Sequence, residues 1–271
     1  TIHLLNKLRT CYQRQILMSK YISTTVCILF FAFTSMNAQY EDNMIKLSQD
    51  FLKALQDKKP TEEYKQVLAE IDLETLASQI DTDRKRLAFW VNIYNAFIMD
   101  ILKDAPSKYD DRGEFFKADQ VKIAGKNVSF DDIEHGVIRS SVIKLSWGYL
   151  SKWFVSKWER QLRTDNRDYR IHFALNCGAK SCPPVAIYDD ETVNEDLEKI
   201  SEQYLTRVSE YKESENKVIS SPLMSWFRGD FGGKSGSKEI LKKFDIIPNT
   251  DVELEFGDYD WTLDLFNFTT I

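Results

Sequence analysis

The sequence predicts an α+β domain, rich in helix and carrying a small, mostly antiparallel sheet. Long amphipathic helical patterns lead the chain, the strand patterns are short and scattered, and no βαβα rhythm is present to build a parallel sheet. With 271 residues, of which 43% are hydrophobic and 13% aromatic, the chain can bury a substantial core. Ordinary hydrophobic content with ten glycines and six prolines excludes disorder for the bulk of it. Four cysteines are too few for a disulfide-dense scaffold.

Residues 1–38 differ from everything that follows. They hold Lys7, Arg9, Arg14 and Lys20, no acidic residue, and the apolar run Val26 to Phe33. That run is eight residues, far short of the roughly 20 needed to cross a bilayer. It fits the apolar stretch of a secretory signal peptide reading from Met18 to Ala38, with Lys20 as its basic start and Ala38 as the small residue before cleavage. Thr1 to Leu17 then lie upstream, and an uncleaved N-terminal anchor is the alternative. The sequence therefore predicts export, to a periplasm or beyond the cell, of one globular domain over 39–271. That domain keeps 32 basic residues against 42 acidic, a net charge of −10. It has no electrostatic footprint for nucleic acid or anionic membranes and no spanning segment. The expected partner is a small molecule, a peptide or an envelope component.

Met44, Leu47, Phe51, Leu52 and Leu55 mark a first amphipathic helix, and Thr61 starts a second that closes near Ile71. The strongest helix runs from Asp83 to about Lys103. Trp90, Ile93, Tyr94, Phe97, Ile98, Ile101 and Leu102 form its apolar stripe, and Pro106 stops it. Val121 to Val128 reads as a hairpin. Ser129-Phe130-Asp131-Asp132 has capping-box spacing and starts a short helix through Arg139. The aromatic residues Trp147, Tyr149, Trp153, Phe154 and Trp158 read as core and lid packing. Tyr169 to Leu175 alternates like a strand. A helix over Asn194–Tyr211 follows, then a strand over Lys217–Ser220 and a helix near Pro222–Phe227. Phe231 to Gly236 reads as a loop, Lys238 to Phe244 as a helix, and Val252–Phe256 and Tyr259–Leu263 as terminal strands. Gly232-Gly233-Lys234-Ser235 lacks the full spacing of a phosphate-binding loop, because Gly229 lies one residue too close to Gly233.

Chemistry concentrates in few residues. After residue 38 the only histidines are His135 and His172, and the only cysteines Cys177 and Cys182. Asp131, His135 and Arg139 are four apart on the capped helix and share a face, so Asp131 is placed to orient the imidazole. An extended 171–177 would point His172 away from Cys177, which favours His135 as the partner of Cys177 and leaves His172 accessory; Gly178 invites a turn that would free Cys177. One reading is a thiol nucleophile activated by a base. The other is a Cys177–Cys182 disulfide with both histidines as hydrogen-bonded core residues. A zinc site of two His and two Cys is a third, but its spacing matches no standard zinc motif, so no metal or other cofactor is expected. Asn92 and Asn95 sit among aromatics on the long helix. They either line a pocket and hold substrate or an oxyanion, or tie the helix to neighbouring backbone.

Three segments in order, Ala88 to Ala96, Asp132 to Arg139 and Arg170 to Pro184, resemble the domain of unknown function 547 family. Asp258-Tyr259-Asp260-Trp261 resembles its closing motif, so the likeness runs from about Asp83 to Asp264. Tyr169 stands where the family usually has proline, and Asp264 where it usually has asparagine. The resemblance singles out Asn92, Asn95, His135, Arg139, His172 and Cys177 and implies no activity. A helix followed by a small sheet carrying Cys and His is similar to papain-like and transglutaminase-like enzymes at the level of fold alone. The expectation is a thiol-dependent hydrolase or acyltransferase on amide or peptide-like substrates. Cys177 would be nucleophile, His135 base, Asp131 its orienter, and Asn92, Asn95 and Arg139 substrate contacts. A non-catalytic binding or structural module is the alternative.

Overall fold

Apolar residues at helical spacing after residue 43 fold as their period requires. In the computed structural model, which describes Tyr40 and residues 43–271, helix α1 (Met44–Gln56) buries Leu47, Phe51, Leu52 and Leu55. It packs along the central helix α4 (Asp83–Asp104). The α4 helix starts where Thr82 Oγ1 accepts the Lys85 N–H at 3.4 Å. From Leu87 to Met99 every α4 residue is buried, so the helix is wrapped on all sides rather than along one stripe. The predicted signal peptide lies outside the described residues.

Between these helices lie α2 (Glu62–Glu70) and α3 (Leu73–Gln79). The α3 helix was not expected, and neither were α5 (Arg112–Lys117) and α6 (Lys157–Leu162). Each is too short to display a hydrophobic period. Each is started by a side-chain cap: Asp72 accepts from the Glu74 and Thr75 N–H groups, Asp111 from Glu114, and Ser156 from Glu159. The predicted hairpin is β1 (Val121–Ile123) against β2 (Lys126–Val128). Its turn residues Ala124 and Gly125 both have positive φ, as a tight hairpin of right-handed twist demands. Their N–H groups bond to the Leu68 and Ala69 carbonyls and moor the hairpin on α2.

The C-terminal half builds its own core around α7 (Val193–Val208) and a three-stranded sheet. In that sheet β3 (Glu210–Lys212) runs antiparallel to β4 (Lys217–Ser220), and β5 (Glu253–Phe256) joins β4 in parallel. Tyr204, Leu205, Val218, Leu254 and the short helix α8 (Leu223–Trp226) close over Phe173 and Phe231. Helix α9 (Gly233–Lys243) begins inside the expected 231–236 loop. The architecture is α+β, helix-rich, with two small and mostly antiparallel sheets.

Three expectations change. Tyr169 to Phe173 is a 3-10 helix, not a strand. Asp168 decides this by accepting the Arg170 N–H at 3.0 Å while gripping the same residue's guanidinium. Ile171, His172 and Phe173 are all buried, so the alternation in the sequence reflects burial on every side. Tyr259 to Leu263 forms no regular strand. It runs beside residues 178–181 through a single bridge between Ala179 and Leu263. Of the aromatic stretch only Trp158 enters the core, its indole N–H donating to the Ile123 carbonyl at 3.2 Å. Trp147, Tyr149, Trp153 and Phe154 stand out of an irregular loop, the last two 92% and 94% exposed. Among the described residues no helix is long and apolar enough to cross a membrane.

Candidate functional site

The capping box predicted at Ser129 is reciprocal. Asp132 N–H donates to Ser129 Oγ at 3.0 Å, and Ser129 N–H donates to Asp132 Oδ2 at 3.3 Å. The chain then winds as one wide π-helical turn over Asp132–Ile138 rather than as an α-helix. This turn brings Arg139 Nη1 to 2.7 Å from His135 Nδ1. A guanidinium only donates, so Nδ1 must accept, and the neutral ring carries its proton on Nε2. That Nε2 lies 3.7 Å from Asp131 Oδ1. Burial first, and then the charge of Arg139, depress His135 to about 3. At neutral pH His135 therefore offers a proton at Nε2 and has no free lone pair. Both Asp131 oxygens also take Lys144 Nζ at 2.7 Å.

His172 is held the other way round. Its Nε2 lies 2.9 Å from Asp230 Oδ2, and its ring stacks on Phe227 at 3.9 Å. Burial pushes the imidazole below its ordinary range although Asp230 pulls it up. A neutral ring donating from Nε2 keeps its lone pair on Nδ1. Asp230 Oδ2 also accepts from Arg139 Nε at 2.7 Å, and Arg167 stands 3.6 Å from Oδ1. Burial raises the Asp230 carboxyl, but the bonds from His172 and Arg139 outweigh it and hold the group at about 2. Asp230 lies 58 residues beyond His172 and belongs to none of the motifs read from the sequence. The neighbouring Gly229 is the one local hint. A side chain there would collide with the Trp147 carbonyl, so the close backbone approach that seats Asp230 requires glycine.

The cysteines sit on a loop that Asn95 and Asn176 shape. Asn95 Oδ1 accepts the Asn176 N–H at 2.8 Å, and Asn95 Nδ2 donates to the Ala174 carbonyl at 2.9 Å. Asn176 in turn accepts from Gly178 N–H and donates to the Pro183 carbonyl, both at 2.8 Å. Gly178 has a φ of +90°, and a β-carbon there would crowd Leu102, Leu263 and Tyr109. The closing motif pins the loop from outside. Lys180 and Ser181 N–H groups donate to the Thr262 and Asp260 carbonyls. Cys177 Sγ and Cys182 Sγ face each other at 2.7 Å as free thiols. Tyr259 donates its hydroxyl to Cys182 Sγ at 3.2 Å, and the Cys177 N–H donates there at 3.1 Å. Burial raises the Cys182 thiol, but these donors and the Cys177 thiol outweigh it and bring Cys182 below its usual value. The same contact, helped by burial, pushes the Cys177 thiol up.

A cavity of about 300 Å³ gathers these parts. Cys177, His135, His172, Asp131 and Glu134 line it, with Lys144 among them. Phe116, Leu223, Trp226, Phe227, Tyr259 and Trp261 supply an apolar wall, in which Trp226 and Trp261 stack at 5.5 Å. Few polar groups converging in a mostly apolar cleft is the usual make-up of a small-molecule site. Arg139 lies behind it, 2% exposed. Asn92 and Asn95 do not line it. Asn92 is fully buried, donating to Ser48 Oγ and the Tyr188 carbonyl while accepting the Tyr188 N–H. The geometry of both amides fits the reading in which they tie the helix to backbone. Among the described residues no three His, Cys, Asp or Glu side chains are grouped to hold a metal ion.

No curated protein and no solved structure matches the chain. Residues 78–205 match the family described as "Protein of unknown function, DUF547", a span that takes in the central helix, both histidines and both cysteines. Tyr259 and Trp261, which help wall the cavity, and Asp230, which backs His172, come from beyond the matched span. This chain therefore carries a domain of the DUF547 family.

Proposed function

We propose that the domain is a thiol-dependent hydrolase or acyltransferase acting on amide or peptide-like substrates, with Cys177 as nucleophile. The observation that carries this reading is that Cys177 and a carboxylate-backed imidazole, His172 on Asp230, line one cavity. The Cys177 thiol rests protonated, so attack requires a base rather than a standing thiolate. In this reading His172 Nδ1 takes the proton, and Asp230 steadies the imidazolium that forms. His135 was expected to be the base. With Arg139 on its Nδ1 it serves instead as a donor from Nε2 to the oxyanion that develops on the attacked carbonyl. Asp131 lies 3.7 Å from that Nε2, too far to take its proton, and Lys144 neutralises Asp131. The aromatic wall receives the apolar part of the acyl group.

Reduced protein mixed with p-nitrophenyl acetate tests it. A burst of one p-nitrophenol per chain is expected, absent in Cys177→Ser and slowed at least a hundredfold in His172→Gln, roughly the share general bases supply. A burst of full size in Cys177→Ser would refute the reading.

The second reading is a binding or structural module closed by a Cys177–Cys182 disulfide, and the 2.7 Å approach of the sulfurs favours it. Export, proposed from the basic and apolar composition of residues 1–38, would place that pair where disulfides persist.

A further inference from the structure

Only one of the two facing sulfurs reaches the cavity. Cys177 lines it and is partly exposed, whereas Cys182 lies behind, 1% exposed. The donors converge on the hidden sulfur. Tyr259 Oη is 3.2 Å from Cys182 Sγ but 3.9 Å from Cys177 Sγ, and the Cys177 N–H also points to Cys182. The approach is imposed by the fold, because the Asn95–Asn176 bonds fix one end of the loop and the Ala179–Cys182 turn fixes the other. One accessible sulfur beside one buried and hydrogen-bonded sulfur is an arrangement for exchange rather than for permanent cross-linking.

We propose that Cys177 and Cys182 form a reversible dithiol–disulfide couple that exchanges with thiols and disulfides of low molecular weight entering the cavity. Cys177 is the sulfur that meets the partner, and Cys182 is the sulfur that resolves or leaves. In the oxidising direction Cys177 releases its proton to solvent, and the Cys177 thiolate attacks a small disulfide. A bond forms between Cys177 Sγ and one partner sulfur, the partner's own S–S bond breaks, and one thiolate departs. Cys182 then releases its proton, and its thiolate, held by the Tyr259 hydroxyl and the Cys177 N–H, attacks Cys177 Sγ. The Cys177–Cys182 bond forms and the second thiolate departs. The two electrons given up by the dithiol have reduced the small disulfide to two thiols, which take up the protons of Cys177 and Cys182. In the reducing direction a small thiolate attacks Cys177 Sγ and the electron pair goes to Cys182. There the Tyr259 hydroxyl and the Cys177 N–H receive the charge, and a sulfur so stabilised leaves faster. The proposal shares the cavity with the acyl-transfer reading but none of its chemistry, and does not rest on it.

Full-length protein is equilibrated in glutathione buffers from fully reduced to fully oxidised, then its free thiols are counted and its mass measured. The wild type is expected to lose the Cys177 and Cys182 thiols together and to retain no glutathione on either. Cys182→Ser is expected to retain one glutathione, mapped to Cys177, and Cys177→Ser to acquire its adduct at least tenfold more slowly. Tyr259→Phe is expected to slow reduction of the disulfide several-fold. The proposal is overturned if the wild type keeps both thiols in the most oxidising buffer, a result that needs no variant to fold. It is equally overturned if glutathione stays on the wild-type pair, or if Cys182 in Cys177→Ser reacts as fast as Cys177 in Cys182→Ser. The acyl burst of the reduced protein is read separately. Exchange lost with the burst intact removes the couple alone, and a burst lost with exchange intact removes only the acyl-transfer reading.

Discussion

Arg139 Nε lies 2.7 Å from Asp230 Oδ2, joining the π-helical turn to a residue 91 positions later. Each side chain is 2% exposed. The pair does two things at once. Its guanidinium occupies His135 Nδ1, and its carboxylate occupies His172 Nε2, so the two imidazoles are fixed in opposite roles. One presents a proton and the other a lone pair.

Asp230→Asn is expected to destabilise the fold by about 3–5 kcal/mol, the cost of leaving a buried guanidinium without its counter-charge. Urea unfolding at pH 7 measures it. Arg139→Met with Asp230→Asn should lose less than the sum of the two single changes, because neither orphaned charge remains.

Acid should weaken the protein well before its carboxylates titrate. His135 has a folded value of about 3 against 6.5 when unfolded, so its contribution is whole above pH 6.5 and drains away as the pH falls toward 3. Between pH 6.5 and 5 this one group removes about 2 kcal/mol. His172, also depressed by burial, acts in the same direction. Asp230, held at about 2, adds its loss only as the pH drops below 3.8. Stability measured from pH 7 to 5 should therefore fall steeply, and His135→Asn, which keeps an acceptor for Arg139, should flatten the slope.

Asn95→Ala is expected to cost about 3 kcal/mol, because it strands the Asn176 N–H and the Ala174 carbonyl inside the protein. It should also loosen the cysteine loop and change the rate at which Cys177 is alkylated. A substrate-contacting asparagine would leave stability nearly unchanged.

Trp153→Ser and Phe154→Ser should each alter stability by no more than about 0.5 kcal/mol, since both rings are almost wholly exposed. Thermal unfolding of the two variants checks this. A large loss would mean that the aromatic loop packs as the sequence reading expected.

Much of the scaffold was legible because long periods announce themselves. The α4 stripe from Trp90 to Leu102, the hairpin at Gly125 and the Ser129–Asp132 box all carry local signals strong enough to survive tertiary context. The 3-10 segment at Tyr169 was misread because Ile171, Phe173 and Leu175 alternate like a buried strand, while a single Asp168 cap tips the backbone into a turn. The site was legible in its residues but not in its wiring. Cys177, His135, His172 and Asp131 do line one cavity. Their partners Asp230 and Tyr259 come from remote positions, marked locally only by Gly229 beside the first and by the Asp258–Trp261 motif around the second.

The central claim is that Cys177 is the thiol presented to the cavity. Limiting iodoacetamide applied to the reduced protein at pH 7.5, followed by peptide mapping, tests it most directly. Label on Cys177 before any on Cys182 is the result this account predicts. Label on Cys182 first, or on both at equal rates, would contradict it.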